Sequence, residues 1–307
     1  EKAGELRYGE NPHQKATFYK NPIPGSGTLA KALQLHGKEL SYNNIADTDA
    51  ALALLKEFSD PAAVAVKHAN PCGVAIGEDL AEAFNRAYEA DTVSIFGGIV
   101  AVNRTVDEDV ARAMAKIFLE VVLAPEYTES ALAILKEKKN LRILLLPDAS
   151  LPINSDEPAL KAVSGGLLIQ DADGEVWSDA EFKKVTEKAI SSDRMPDLEF
   201  AMKVVKHVKS NAIVLVKDGQ TVGIGPGQPN RITSAEIAIE NAGEKSHGSI
   251  MGSDAFFPFP DCVAAAAAAG VAAIVQPGGS IRDKESIDTC TQMGIPMYFT
   301  GMRHFRH

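Results

Sequence analysis

The stretch from Val271 to Phe299 constrains the fold more than any other. It reads as a strand (residues 271–275), the glycine-rich loop Pro277-Gly278-Gly279-Ser280, a helix (283–293) and a second strand (295–299). Strands joined through a helix lie parallel in one sheet, and the crossover is right-handed because strand twist and helix hand agree only that way. Parallel strands are buried on both faces, so the rest of the chain must supply more apolar strands and helices to cover them. It does so along most of its length, which is the pattern of a layered α/β protein.

In the first half, Asp47 and Thr48 are placed to cap a helix on which Leu52, Leu55 and Phe58 recur at helical spacing, and Pro61 ends it. Residues 62–66 form a short continuous apolar run that reads as a buried strand, although periodicity alone does not exclude helix. Asp107 caps a helix bearing Val110, Met114 and Ile117 on one face, and residues 120–123 and 141–146 read as strands flanking another helix. A Pro-, Ser- and Asp-rich stretch at 148–158 marks a boundary between residues 1–150 and 151–307. Beyond it, residues 212–216 and 221–224 flank Lys217-Asp218-Gly219-Gln220, and Asp-Gly at the centre of such a turn signals a hairpin. Six alanines, 264–269, sit on a helix opened by Asp261 and suit close helix packing.

Charge narrows the partners. A net charge of −10 argues against nucleic acid or a membrane surface, which need a broad basic face, but leaves room for a small phosphorylated ligand held by a few cations. No apolar run approaches the roughly 20 residues of a membrane span and no signal pattern opens the chain, so a cytoplasmic location is expected. Cys72, Cys262 and Cys290 are too few and scattered for a disulfide framework or a metal site, and are expected to be reduced and structural.

Four constellations could carry chemistry. Lys67 and His68 fall where the strand at 62–66 gives out, before Asn70-Pro71-Cys72-Gly73. At a strand's carboxyl end such a pair faces the crevice of an open α/β sheet. A histidine there can move a proton, and a lysine can hold a phosphate or an oxyanion. Equally, both could be surface residues on a turn. The loop Gly225-Pro226-Gly227-Gln228-Pro229-Asn230-Arg231 leads into a helix starting near Thr233 and Ser234, where an anion would be favoured, yet it matches neither a P-loop nor Gly-x-Gly-x-x-Gly. Phe256-Phe257-Pro258-Phe259 is either buried or lines a site for a flat ring, burial being the safer expectation. The basic tail Arg303-His304-Phe305-Arg306-His307 would ordinarily be dismissed as frayed. Zinc deamination is disfavoured, since His68-Ala69-Asn70 lacks the proton-shuttling glutamate and Cys72 has no partner cysteine nearby. A serine-hydrolase elbow is absent as well.

These pieces occur in one order. Residues 6–14 (Leu-Arg-Tyr-Gly-Glu-Asn-Pro-His-Gln), Leu40-Ser41-Tyr42-Asn43-Asn44, Val66-Lys67-His68-Ala69-Asn70-Pro71-Cys72-Gly73, Phe96-Gly97-Gly98, Lys209-Ser210-Asn211-Ala212, residues 253–259, Gln276-Pro277-Gly278-Gly279-Ser280 and the last six residues together resemble the AICAR transformylase family. The likeness runs from Leu6 to His307 and its motifs are long and specific.

The resemblance implies a three-layer α/β/α fold, a duplicated cytidine-deaminase-like unit without the zinc site, with one copy in residues 1–150 and one in 151–307. It implies transfer of a formyl group from 10-formyltetrahydrofolate to the 5-amino group of AICAR (5-aminoimidazole-4-carboxamide ribonucleotide), giving FAICAR and tetrahydrofolate in purine synthesis. His68 would be the general base with Lys67 beside it, and Asn211 would orient the reacting groups and stabilise charge near the formyl carbon. Arg7, Tyr8, Arg231, Arg303 and His307 would hold the nucleotide, and Phe256, Pro258, Phe259 and Asp261 would meet the folate. The family forms its site across a homodimer and allows a structural potassium ion, with no zinc and no metal chemistry. The cyclohydrolase domain of the family is not in this sequence, so no ring closure is expected. Pro260 stands where the family's bacterial pattern has arginine, and Pro226 and Pro229 stiffen the loop before Arg231. Those changes leave a second reading, a nucleotide-binding module of the same fold with weakened turnover.

Overall fold

A computed structural model describes residues 1–152 and 158–307. Strands β1 (Lys2–Leu6) and β2 (Ala16–Tyr19) pair as an antiparallel ribbon. There follow β3 (Leu33–His36), α1 (Tyr42–Leu55), β4 (Ala62–Lys67), β5 (Asn70–Ile76), α2 (Leu80–Ala90), β6 (Ile99–Val102), α3 (Glu108–Ala115), β7 (Val121–Ala124), α4 (Glu129–Lys136) and β8 (Arg142–Leu145). A second ribbon, β9 (Ala159–Val163) with β10 (Gly166–Gln170), leads to β11 (Lys183–Lys184), α5 (Met195–Val205), β12 (Ile213–Lys217), β13 (Gln220–Gly225) and α6 (Arg231–Ala242). The chain ends with β14 (Ile250–Ser253), α7 (Asp261–Ala268), β15 (Ala273–Gln276), α8 (Asp283–Met293) and β16 (Met297–Phe299). Residues 153–157, inside the stretch expected to hold the boundary, lie outside the described residues.

Among the described residues, twelve strands form one mixed sheet in the order β11-β16-β15-β14-β12-β13-β5-β4-β6-β7-β8-β3. Strands β6, β7 and β8 are parallel, as are β14, β15 and β16, so the crossover expected at the C-terminal end is present. Helices cover both faces because side chains alternate along each strand. Val64, Val66, Val214 and Val216 join the core under α1 and α5, where the Phe58 and Phe200 rings lie 5.2 Å apart. Ala63, Ala65, Val100 and Val122 join the core under α2, α3 and α4, and Ile213, Leu215, Met251 and Ile274 that under α6, α7 and α8.

Helix placement is tight where glycine removes a side chain. A Cβ on Gly73 would stand 2.1 Å from the Ala87 carbonyl oxygen of α2, and one on Gly225 would stand 1.9 Å from the Ser234 carbonyl oxygen of α6. These contacts bring both helices down onto the central hairpins.

Several local expectations need correction. Helix α1 begins at Tyr42, capped by Ser41 in a reciprocal capping box with Asn44, so Asp47 and Thr48 lie inside it. Helix α6 begins at Arg231 with Asn230 as its cap, ahead of Thr233 and Ser234. Pro260 occupies the cap position of α7 and Asp261 is its first residue. The segment after His68 is strand β5, so Lys67 and His68 sit at a hairpin tip and not at the mouth of parallel strands. The Asp218-Gly219 hairpin forms as read, with φ of 52° and 69° at its two central residues. All three cysteines are free; Cys262 and Cys290 are buried, and burial pushes the Cys72 thiol up to about 12. No helix among the described residues is long and apolar enough to cross a membrane.

Candidate active site

Register decides which loops meet. Strand β13 runs antiparallel to β5 with Gln220 opposite Ala75, so the end of β13 at Gly225 reaches the start of β5 at Asn70. Strand β12 is antiparallel to β13 and β14, which brings Ile213, Gly225 and Ser253 to one level. One rim of the sheet therefore collects the turn at 67–70, the segment 209–212, the loop 225–231 and the segment after Ser253.

On that rim, His68 and Ala69 form the two-residue tip of the β4–β5 hairpin with φ of 54° and 58°. Left-handed backbone is unfavourable for residues with a Cβ. The tip is held by Asp47 of α1, whose carboxylate accepts from the backbone N–H groups of Ala69 (2.8 Å) and His68 (3.3 Å). Burial raises the Asp47 carboxyl, and these N–H groups with His68 and Lys209 only partly offset it. The tip is thus clamped while the His68 side chain stays exposed. Lys67 donates to the Phe96 carbonyl at 2.8 Å, which ties the tip to the Phe96-Gly97-Gly98 turn and leaves ammonium hydrogens unspent.

The tip meets the second half directly: Asn70 Oδ1 accepts from the Lys209 backbone N–H at 3.2 Å. Two residues on, the Asn211 carboxamide is fully oriented. Its Nδ2 donates to the carbonyls of Gln228 (2.8 Å) and Pro229 (3.1 Å), and its Oδ1 accepts from Arg231 Nη2 at 2.6 Å. Guanidinium only donates and carbonyls only accept, so this assignment is forced. Asn211 has no N–H left for a developing oxyanion; one lone pair on Oδ1 remains. Arg231 is buried, and its Nη1 donates to Asp254 Oδ1 and to Ser253 Oγ (3.0 Å). The residue expected to touch the nucleotide is built in as the strut that fixes Asn211.

The tail is docked, not frayed. Arg306 N–H donates to Ser210 Oγ and Ser210 N–H donates to the Arg306 carbonyl, each at 3.0 Å. Ser210 Oγ in turn donates to Asp254 Oδ2 at 2.5 Å. His304 is buried, its ring held by Asp173 (2.8 Å) and by the Val176 carbonyl (2.8 Å). Arg303 and His307 are left exposed on either side of Phe305, the guanidinium 4.3 Å above that ring.

The folate-side expectation divides. Phe257 is fully buried, whereas Phe256 (37% exposed) and Phe259 (49%) stand out of the loop that begins at buried Asp254. Pro258 and Asp261 are exposed beside them, and the Arg282 guanidinium lies 4.9 Å over the Phe259 ring. Burial of all three rings is therefore corrected: one anchors the loop and two present flat faces. Arg7 lies 5.7 Å over the ring of Tyr8, just beyond β1. Among the described residues no hydrogen bond joins those two residues to the rim, but Asn43 of α1 donates to the Glu10 carbonyl at 3.2 Å, one helical turn before Asp47. Helix α1 thus carries both the N-terminal segment and the His68 tip.

Among the described residues no group of His, Cys, Asp and Glu is arranged to hold a metal ion. Oxygens of the half-buried Ser210 and of the buried Ser253 and Asp254 do gather, but Arg231 and the Ser210–Asp254 bond already engage them. The positions that sequence reasoning passed over are Asp47, taken as a cap, and Ser210 and Asp254, which lie inside motifs without an assigned role. The only signal they carry is a short polar side chain within or near a motif.

The sequence profile of the family described as "AICARFT/IMPCHase bienzyme" matches residues 1–241. A "Bifunctional purine biosynthesis protein PurH" of Acetivibrio thermocellus is 57% identical over 307 residues, covering 100% of this chain and 60% of that protein. The protein of the same name from Bacillus subtilis is 59% identical over 307 residues with the same coverage. The chain spans about 60% of the length of these relatives. Among solved structures, a chain of Acinetobacter baumannii RibD, form 2, aligns at a TM-score of 0.25 and 20% identity over 34% of this chain and 33% of that one, a likeness that carries no argument.

Proposed function

The chain belongs to the AICARFT/IMPCHase bienzyme family, and from that membership we propose that it transfers the formyl group of 10-formyltetrahydrofolate to the 5-amino group of AICAR. The observation that carries the proposal is the meeting of the His68 tip with Lys209–Asn211 on one rim, through the Asn70–Lys209 bond at 3.2 Å.

The AICAR amine is a poor nucleophile because its lone pair delocalises into the imidazole and carboxamide. Rate must come from holding both substrates together, removing a proton and stabilising the tetrahedral oxyanion. His68, exposed on a clamped turn, takes the amine proton as the C–N bond forms. Asn211 offers its remaining lone pair to an amine hydrogen and so aims the nucleophile. The oxyanion falls to Lys67, which has donors to spare. Collapse then expels the folate nitrogen, which takes back from His68 the proton removed from the amine. Arg303 and His307, with Arg7 and Tyr8 from the N-terminal segment, hold the nucleotide, their arginines suited to phosphate. Arg231 acts through Asn211. Phe256 and Phe259 offer flat faces to the folate beside Pro258 and Asp261.

We further infer that residues 1–150 and 151–307 are two copies of a cytidine-deaminase-like unit. The order β5-β4-β6-β7-β8-β3 recurs as β13-β12-β14-β15-β16-β11, with matching parallel and antiparallel pairings. A homodimer is supported by the β9–β10 ribbon, which exposes Leu160 (61%), Leu168 (57%) and Ile169 (66%). An isolated two-stranded ribbon has no core of its own, so these side chains need a second surface.

The test mixes the purified chain with AICAR and 10-formyltetrahydrofolate and follows tetrahydrofolate release, with His68→Ala in parallel. AICAR-dependent release is expected, falling about 10²–10⁴-fold in the variant. AICAR binding without release from a folded dimer would sink the formyltransferase reading and leave a nucleotide-binding module.

A further inference from the structure

Behind the tail lies a buried ionic cluster that the proposed chemistry does not use. Glu57 Oε1 accepts from Lys206 Nζ at 2.9 Å and from His207 Nε2 at 2.8 Å, and the three side chains are at most 5% exposed. Lys206 Nζ also donates to the Glu175 carbonyl at 3.0 Å. On the other edge of the His207 ring, Arg306 Nη1 reaches Nδ1 at 3.2 Å.

The chemistry of these partners fixes the imidazole. Guanidinium has no acceptor, so Nδ1 must be the unprotonated nitrogen and Nε2 must carry the hydrogen given to Glu57. His207 is then neutral, and it turns the Glu57 carboxylate into an acceptor for a cation two bonds away. That cation belongs to the residue whose backbone N–H and carbonyl are both bonded to Ser210, next to Asn211. Without the acceptor at Nδ1, the Arg306 side chain loses that hydrogen bond and keeps the charge attraction of Asp49 and Asp173, while the segment bearing Arg303 and His307 is left with the Ser210 pair and His304.

We propose that Glu57 and His207 are positioning residues: by keeping His207 as its Nε2–H tautomer they hold Arg306, and through it residues 303–307, in the site. The consequence for nucleotide binding rests on the formyltransferase reading above; the holding of the tail does not.

Three measurements test this on the whole chain. Long-range ¹⁵N–¹H correlation of the histidine-labelled protein should show His207 protonated at Nε2 and bare at Nδ1. Carboxypeptidase release of His307 should quicken in Arg306→Gln and in His207→Gln, whose amide reaches Glu57 but offers Arg306 nothing. It should stay near wild type in His207→Asn, whose amide oxygen replaces Nδ1. In turnover, the first two variants should raise KM for AICAR about tenfold, the scale of one lost charge-assisted hydrogen bond, with kcat little changed. Glu57→Gln leaves Lys206 buried without its counter-charge and can fail to fold, so Arg306→Gln carries the test. A protonated Nδ1 in the wild type, or unchanged tail release in Arg306→Gln, overturns the proposal. If the spectrum and tail release are as expected but the wild type transfers no formyl group, the formyltransferase reading falls and the positioning role stands.

Discussion

Asp47 and His68 lie 21 positions apart and meet through the backbone. Two non-glycine residues in left-handed backbone cost about 1 kcal/mol each, and two N–H groups donated to one carboxylate offset that cost. Asp47→Ala should therefore lower kcat about tenfold or more while leaving KM for AICAR near wild type, because the His68 tip relaxes and the nucleotide contacts remain. Equal loss in KM would show Asp47 to be a ligand contact instead. The buried cluster makes a second prediction at this scale. Burial lowers His207, with Arg306 and Lys206 adding to the effect and Glu57 opposing it. Burial works against the Glu57 carboxylate, but His207 and Lys206 hold its pKa below the ordinary range. Both folded-state values are depressed, so the unfolded chain binds more protons on acidification and stability falls with pH. The His207 contribution is complete above the ordinary value of 6.5 and is lost as pH drops through its lower folded value. That of Glu57 is complete above 4.5 and lost below it. Between about pH 7 and about pH 5 the urea midpoint of the wild type should fall more than that of His207→Asn, the difference being the His207 contribution.

At the scale of elements, two glycines set how closely helices approach the central hairpins. Gly73→Ala and Gly225→Ala would drive a methyl group into the carbonyls of Ala87 and Ser234. Each should cost about 1–3 kcal/mol in denaturant stability. Only Gly225→Ala should also depress turnover beyond its effect on folding, since α6 carries Arg231 and thereby Asn211. Equal activity in the two variants, at temperatures where both are folded, would count against that coupling. Element types were legible where chemistry is local: Asp218-Gly219 marks its turn, and α8 spans the residues expected, 283–293. The His68-Ala69 tip was not legible, because nothing in its residue types announces positive φ. The start of α1 is not legible either, because Asp47 looks like a cap while Ser41 and Asn44 do the capping.

For the whole molecule, the β9–β10 ribbon is exposed along its length and stands outside the twelve-stranded sheet. Replacing residues 158–170 by a short Gly-Ser linker should leave the sheet folded, abolish dimerisation in sedimentation and remove most formyl transfer, if the site is completed across the dimer. A variant that stays dimeric and active would place the interface elsewhere. The sheet itself makes one body of the two halves, for the core under α1 and α5 draws side chains from both.

The sequence alone determined the class of fold, because a strand–helix–strand crossover and alternating apolar runs admit little besides a covered, partly parallel sheet. Its motifs, by their order, also named the residues of the rim. It could not place His68 at a hairpin tip, bring Asn70 to Lys209, turn Arg231 inward as a strut or seat the tail on Ser210. Those depend on strand register and on hydrogen bonds between residues tens to hundreds of positions apart. Such contacts leave no periodic trace in the chain, because each forms only once the sheet has set its ends at one level.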